Sequence, residues 1–429
     1  MLGHVLDQAY ALNPRAVFVI VGHVAEQVKA SFSEGLDRLE WVIQQEQLGT
    51  GDAVQSCLPA LNAAGAKDDD KVLILSGDVP LIRHETLEPL ISASSPFNMV
   101  TLQLAQPTGY GRIVRDSSGQ IVGVVEEKDA RPEQRAIQEI NTNIFALDYA
   151  LLAELLPKIT NNNAQREYYL PDLVELAANN NVKIQAWQPE FAWEVEGVNN
   201  RVQLEALGRK LQHYRSQLYL EQGLNIADRS RFDVFGELEF GQDCSVGFNV
   251  AFSGKVVLGE RVRIDHNVCL HNVVIGDDCH IRNFSDLEGA KLAERCTVGP
   301  YARLRPGSVL AKDVRLGNFV ETKKVSIGEG SKLNHLSYAG DCDIGQNVNI
   351  GAGTIVCNYD GVNKHQTQIQ DDVFVGSNTC LVAPVVVQKG ATIAAGSVVT
   401  KPAPAGQLTI ARARQTSIPS WQRPTKQTD

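Results

Sequence analysis

Residues 234–270 run VFGELEFGQDCSVGFNVAFSGKVVLGERVRIDHNVCL, with an aliphatic or aromatic side chain at every sixth place: Val234, Phe240, Val246, Phe252, Leu258, Ile264 and Leu270. The column continues at Ile275, Ile281 and Leu287, then at Leu292, Val298, Leu304, Leu310 and Leu316, and again at Ile344, Ile350 and Val356. After a break it returns at Ile369, Val375, Leu381, Val387, Ile393 and Val399. A hexapeptide period of this kind is the signature of a parallel β-helix, in which each six residues form one flat side of a triangular coil. The repeated aliphatic fills the interior. A glycine often follows it, as at Gly247, Gly276, Gly317 and Gly376, and is expected there to permit the corner turn. The break, residues 357–368 (CNYDGVNKHQTQ), lacks the aliphatic and is expected to project as a polar loop: a lid, a clamp or a contact arm.

Outward from the repeat the texture changes. Before about residue 225, apolar runs at 16–22 (AVFVIVG), 71–76 (KVLILS) and 99–104 alternate with helical patterns such as 52–63. That alternation predicts an α/β domain with a mainly parallel sheet and its chemistry in loops at the strand ends. Leu204, Leu207, Leu211, Tyr214 and Leu218 are spaced as the stripe of one amphipathic helix, a connecting arm. Domains are expected at 1–198 and 224–429, with a linker helix at 199–223.

The whole chain of 429 residues is too long for one ordinary core. Its 43% hydrophobic and 21% charged residues exclude a disordered or collagen-like chain. A net charge of −10 argues against nucleic acid as the main partner. No apolar run reaches a membrane span and the first residues lack a basic signal region, so a cytoplasmic protein without a membrane span is expected. The eight cysteines form no CxxC pair and are expected to be reduced, buried small hydrophobes.

Polar residues gather in the middle coils: Arg303, Arg305, Glu321, Lys323, Lys324, His335, Tyr338 and Asn349. Arg305 and Lys323 are 18 residues apart, one full coil, so both cations can face one dianionic phosphate. A neutral His335 nearby can take a proton from an amine nucleophile. A single histidine is ordinarily a satisfied surface or core residue, and an Arg/Lys group ordinarily a solvated face. Their combination with a polar loop is what points to function. In the first domain, Ser76-Gly77-Asp78 directly follows an apolar run, where a carboxylate can hold Mg²⁺ beside a phosphate or simply cap the next helix. The glycine- and asparagine-rich stretches 107–113 and 195–200 are turns.

The motifs GTGDAV (49–54), SGDVPL (76–81), PTGYGRI (107–113), NNNAQREYYL (161–170), EVEGVNNR (194–201), GPYARLRPG (299–307), GNFVETKK (317–324), NIGAGT (349–354), CNYDGVNKH (357–365) and GSNTCLVAP (376–384) occur in order along the chain. Together they resemble the GlmU family, bacterial bifunctional N-acetylglucosamine-1-phosphate uridyltransferases and glucosamine-1-phosphate acetyltransferases. The resemblance implies an α/β nucleotidyltransferase (Rossmann-like) domain joined by a long helix to a left-handed parallel β-helix of hexapeptide repeats. It also implies a homotrimer through the β-helix, with acetyl sites shared between subunits. Carried over, His335 is the general base and Glu321 a supporting carboxylate. Arg305 and Lys323 bind the sugar phosphate, and Tyr338, Asn349 and Lys364 hold the amino sugar. Ala352, Asn358, Tyr359, Ser377, Ala395 and Arg412 line the acetyl-CoA site. For uridylyl transfer from UTP, Asp78 and Asn199 match Mg²⁺ ligands, Gln44, Gly49 and Thr50 the uridine contacts, and Gly111, Glu126 and Asn141 the acetylated-sugar contacts.

Two departures from the family are visible. Members open on a strand and a loop of the type L-x-x-G-x-G-T-R-M, followed by a Pro-Lys pair, whereas this sequence opens on a helical stretch at 2–12. The first domain is therefore expected to be truncated at its N-terminus, to leave strands unpaired, and to have little or no uridyltransferase activity although the Mg²⁺ pair is present. Asn143 stands where the family usually has glycine. The alternatives are a non-catalytic regulatory or scaffold subunit of the same architecture, or an acetyltransferase for another amino sugar.

Overall fold

A computed structural model of the chain describes residues 1–22, 25–32 and 38–426. It divides into two compact units, 1–210 and 211–429, and the division falls inside the helix Arg201–Glu221.

In the first unit β1 (Val17–Val21) pairs in parallel with β2 (Leu39–Ile43) as a sheet of two strands. The opening helix, Leu2–Ala11, sets Leu6 against Val19 and Val21 of β1. A second sheet contains β3 (Lys71–Ile74), β4 (Phe97–Gln103), β5 (Arg112–Arg115), β6 (Ile121–Val125), β7 (Glu139–Asp148) and β8 (Ile184–Trp187). Its order is β6-β5-β7-β4-β8, with β3 also on β7. The expectation of a mainly parallel sheet is corrected here. β4 and β8 run parallel, but β7 is antiparallel to β3, β4 and β5, and β5 to β6. The reason is that apolar runs report burial, not direction. In β4, Phe97 and Met99 enter one core and Val100 and Leu102 another, so a strand covered on both faces reads as continuously apolar whichever way its neighbours run. Among the described residues β1 hydrogen-bonds as a strand to β2 alone, and β3 to β7 alone.

The second unit is a left-handed parallel β-helix. Equivalent residues of successive coils lie 17 or 18 apart, as in Ser245, Arg263, His280, Thr297 and Arg315. The six-residue column is its interior: Val298, Leu304, Leu316, Val375 and Leu381 have 1% exposure or less, and only Phe240 is partly exposed. A second interior column, unseen in the sequence, stands two residues earlier and takes small side chains. Cys244, Cys279, Cys296 and Cys342 occupy it beside Ala302, Ser308 and Val314. Cys269 is exposed and Cys357 and Cys380 are half-buried, so for these three the expected burial is corrected. The first coil is closed by the C-terminal half of the helix. Gln212 exchanges two hydrogen bonds with the backbone of Val234 (2.8 and 3.1 Å), and the Tyr219 ring meets Phe232 and Phe240 edge-on.

Of the glycines after the interior aliphatic, Gly299 takes the expected left-handed turn (φ 95°), but Gly247, Gly276, Gly317 and Gly376 serve a different purpose. Gly317 is not left-handed; a methyl group there would overlap the Asn334 carbonyl of the next coil. Close stacking excludes the side chain. Many left-handed corners are taken by other residues, such as Asn249, Asn267, Phe284, Tyr301 and Phe319.

Candidate active sites

In the second unit, consecutive strands place Arg303, Glu321, Tyr338 and Ile355 in one row, and Arg305 one step above Lys323. Arg305 donates from Nη1 to Glu321 Oε1 at 3.1 Å. The 357–368 insertion stretches the coil spacing to 25 residues, as between Cys342 and Thr367. It folds back as a turn in which Tyr359 and Lys364 form an antiparallel bridge. Asp360 at its tip accepts from the backbone of Val362 and Asn363 and from His365 Nε2 at 2.7 Å, which holds its carboxyl well below the usual range. The insertion brings Lys364 against Lys323. Repulsion from Lys364 first, then burial and Arg305, pushes the Lys323 ammonium below the ordinary lysine value, while Asp341 pulls the other way. Three cations thus converge, an arrangement suited to a dianion.

His335 lies on the other sheet of the coil, in the strand Lys332–His335, opposite Asn318. Its Nδ1 is 2.8 Å from Asn318 Oδ1. A carbonyl oxygen can only accept, so with this partner Nδ1 carries the proton and Nε2 keeps its lone pair. The side chain that meets His335 is Asn318, one coil earlier, while Glu321 is engaged with Arg305. Asn318 was missed in the sequence, although a separation of 17 from His335 is itself one coil. Tyr338 lies across Gly340, where a methyl group would collide with the phenol oxygen and approach Asn358 Nδ2. Asn349 pairs in register with Lys332 and Phe374, half-buried. Ala352, Ser377, Ala395 and Arg412 follow one another along one corner: Asn378 N donates to Ala352 O, Gly396 N to Ser377 O, and Arg412 Nη1 to Ala395 O (2.8, 2.8 and 2.7 Å). Such a row covers roughly 14 Å at the usual strand spacing, a track for an extended ligand.

In the first unit, Gln44 Nε2 donates to Asp52 Oδ2 (2.7 Å) and Gly49 O, while Thr50 Oγ1 accepts from Leu170 N (3.0 Å). Backbone bonds from Tyr168 N to Leu48 O and from Gly51 N to Tyr168 O, both 2.7 Å, stitch this loop to the 161–170 motif. Gly111, Glu126 and Asn141 come together: Asn141 N donates to Gly111 O at 2.9 Å, and a side chain at Gly111 would meet the Glu126 carboxylate. Burial raises the Glu126 carboxyl above its ordinary value, with Asp172 and Asp129 adding to it. Asn143 is left-handed (φ 59°), a conformation that asparagine and glycine tolerate well, and its Oδ1 accepts from Asn141 Nδ2. Asp78 and the 197–199 segment are neighbours, since Val198 N donates to Asp78 O at 2.9 Å and Gly197 abuts the Asp78 carboxylate. One carboxylate plus an amide oxygen is a donor set that fits Mg²⁺, which keeps waters and phosphate oxygens as its other ligands. Among the described residues no cluster of three His, Cys, Asp or Glu side chains competes with it.

Fold and sites define a transferase that couples a nucleotidyltransferase domain to a hexapeptide acyltransferase. Family models agree: the MobA-like NTP transferase domain matches residues 1–138, the GMPPB C-terminal domain 234–335, and the hexapeptide repeat of succinyl-transferase 366–401. The Bifunctional protein GlmU of Marinobacter nauticus is 47% identical over 99% of this chain and 93% of its own length. Those of Bordetella parapertussis and Chromobacterium violaceum are 50% and 49% identical, again over 99% of this chain. The chain belongs to the GlmU family.

Proposed function

We propose that the second unit transfers acetyl from acetyl-CoA to glucosamine-1-phosphate. The convergence of Arg305, Lys323 and Lys364 supports this reading most directly, because three cations match a sugar phosphate and not a neutral amino sugar. His335 Nε2 takes the proton of the attacking amine, the nitrogen adds to the thioester carbonyl, and collapse of the tetrahedral adduct expels the CoA thiolate. Glu321 steadies Arg305, and Tyr338 and Asn349 hold the sugar. The corner row of Ala352, Ser377, Ala395 and Arg412, with Asn358 and Tyr359, carries acetyl-CoA. A homotrimer completes the sites. Phe284, Tyr301 and Phe319, each about half exposed, stack along one corner at 4.9 and 5.2 Å and continue to Leu336 beside His335, an apolar stripe that a second copy would cover.

In the first unit the proposed reaction is uridylyl transfer from UTP to N-acetylglucosamine-1-phosphate, with Asp78 and Asn199 as Mg²⁺ ligands. The ion would neutralise phosphate charge there, while Gln44, Gly49 and Thr50 seat the uridine and Gly111, Glu126 and Asn141 the sugar. Among the described residues no helix is long and apolar enough to cross a membrane; the cytoplasm is the proposed location. The test is release of free thiol from acetyl-CoA. Release must require glucosamine-1-phosphate, and equal turnover of unphosphorylated glucosamine would overturn the reading. Pyrophosphate release from UTP tests the first unit separately.

A further inference from the structure

The base of the insertion is fastened by a residue that no motif assignment includes. Asp341 sits in the strand Tyr338–Ile344 at φ 48°, directly across from Lys324 at φ 45°. Earlier coils turn the same corner with Asn272, Gly289 and Gly307, residues for which the left-handed region is cheap. From Lys324 onward the corner carries charged side chains, and what matters at Asp341 is what its carboxylate touches. Its Oδ2 accepts a 2.6 Å hydrogen bond from Asn358 Nδ2, and Asn358 is only 8% exposed. Asn358 in turn receives His365 N at 2.8 Å, which closes the turn carrying Lys364. Asp341 also follows Gly340, the register partner of Lys323, and its charge acts on that ammonium against those of Lys364 and Arg305. The other charged groups nearby are already engaged: Glu321 with Arg305, Asp360 with His365, and Asp343 with Gln366 Nε2.

We propose that Asp341 is a positioning residue for acetyl transfer: its carboxylate pins Asn358, and with it the turn that delivers Lys364, and supplies the counter-charge that lets three cations converge on one phosphate. The inference rests on the acetyltransferase reading above.

The test compares the full wild-type chain with Asp341→Ala and Asp341→Asn, by thiol release from neutral to alkaline pH and by amide hydrogen exchange across residues 357–366. Asp341→Ala should speed exchange in the turn and raise KM for glucosamine-1-phosphate about tenfold, the weight of one charge-assisted hydrogen bond, with a smaller change in kcat. Asp341→Asn keeps an acceptor for Asn358. It should leave exchange in the turn unchanged and move the alkaline fall of kcat/KM to lower pH, because Lys323 loses its nearby anion. Wild-type exchange and wild-type KM in Asp341→Ala would overturn the proposal, as would an unmoved alkaline limb in Asp341→Asn. A wild-type chain that releases no thiol sinks the acetyltransferase reading alone, since turn exchange still decides whether Asp341 is the pin.

Discussion

The two units bury their strands in different ways: those of the β-helix on the inward face alone, those at the centre of the α/β sheet on both. In the β-helix every coil rests on the one before it through the same two interior columns, so register is set by repetition and one coil resembles the next. In the first unit the strands fall into two sheets, of two and of six, and each strand depends on partners distant in sequence, such as β3 on β7 and β4 on β8. Function follows the contrast. In the β-helix the proposed site lies where the repeat is interrupted or relaxed: the 357–368 insertion, the Asp341 corner, the Asn318–His335 pair. The α/β unit builds its site from loops that tertiary contacts must stitch together, as Tyr168 stitches 48–51.

The sharpest way to separate the units is to remove the proposed base of one and watch the other. His335→Ala should lower thiol release by about 10²–10⁴-fold, the usual weight of general-base catalysis, and leave pyrophosphate release from UTP as in the wild type. Loss of both activities would show that the units are not independent. Conversely, Asp78→Ala should lower Mg²⁺-dependent pyrophosphate release at least about tenfold without touching thiol release.

Stability effects are smaller and differ in sign between the two architectures. Gly317→Ala drives a methyl group into the next coil and should cost about 1–3 kcal/mol of β-helix stability in thermal or denaturant unfolding. Asp172→Asn should act the other way in the first unit. Burial first, then Glu175 and Asp129, raises this carboxyl from 3.8 to about 6, so the folded state resists its ionisation. The resulting penalty sets in as pH rises above 3.8 and is complete above about 6. A neutral amide removes it, so the variant should gain about 1 kcal/mol at neutral pH and nothing near pH 4, readable as a pH-dependent difference in melting. Smallest of all, Gly208→Ala, at a helical position with open space around it, should add about 0.5–1 kcal/mol through helix propensity. A destabilised Gly208→Ala would mean that this helix is held by packing that leaves no room for a methyl group.

Much of the β-helix was legible before any coordinates. Its interior column was visible because a six-residue period samples the same wall again and again, and Arg305 beside Lys323 followed from counting one coil. The second column was not, because Cys, Ser, Ala and Val share no hydrophobicity that a period would reveal. Asn318 and Asp341 were missed for a related reason: polar residues outside a motif carry no periodic signal, and their importance lies in one hydrogen bond each. In the first unit the apolar runs located the strands, yet their direction was misjudged, since burial of β4 and β7 on both faces looks alike in parallel and antiparallel sheets.

By itself, then, the sequence determined the coil, its interior and the order of the two architectures, because repetition and side-chain hydrophobicity are local properties written along the chain. Tertiary structure alone decided which nitrogen of His335 meets Asn318, what the stacking glycines are for, and how Lys364 reaches Lys323. Each of those depends on atoms brought together from separate coils, where a few tenths of an ångström or one carbonyl oxygen sets the outcome.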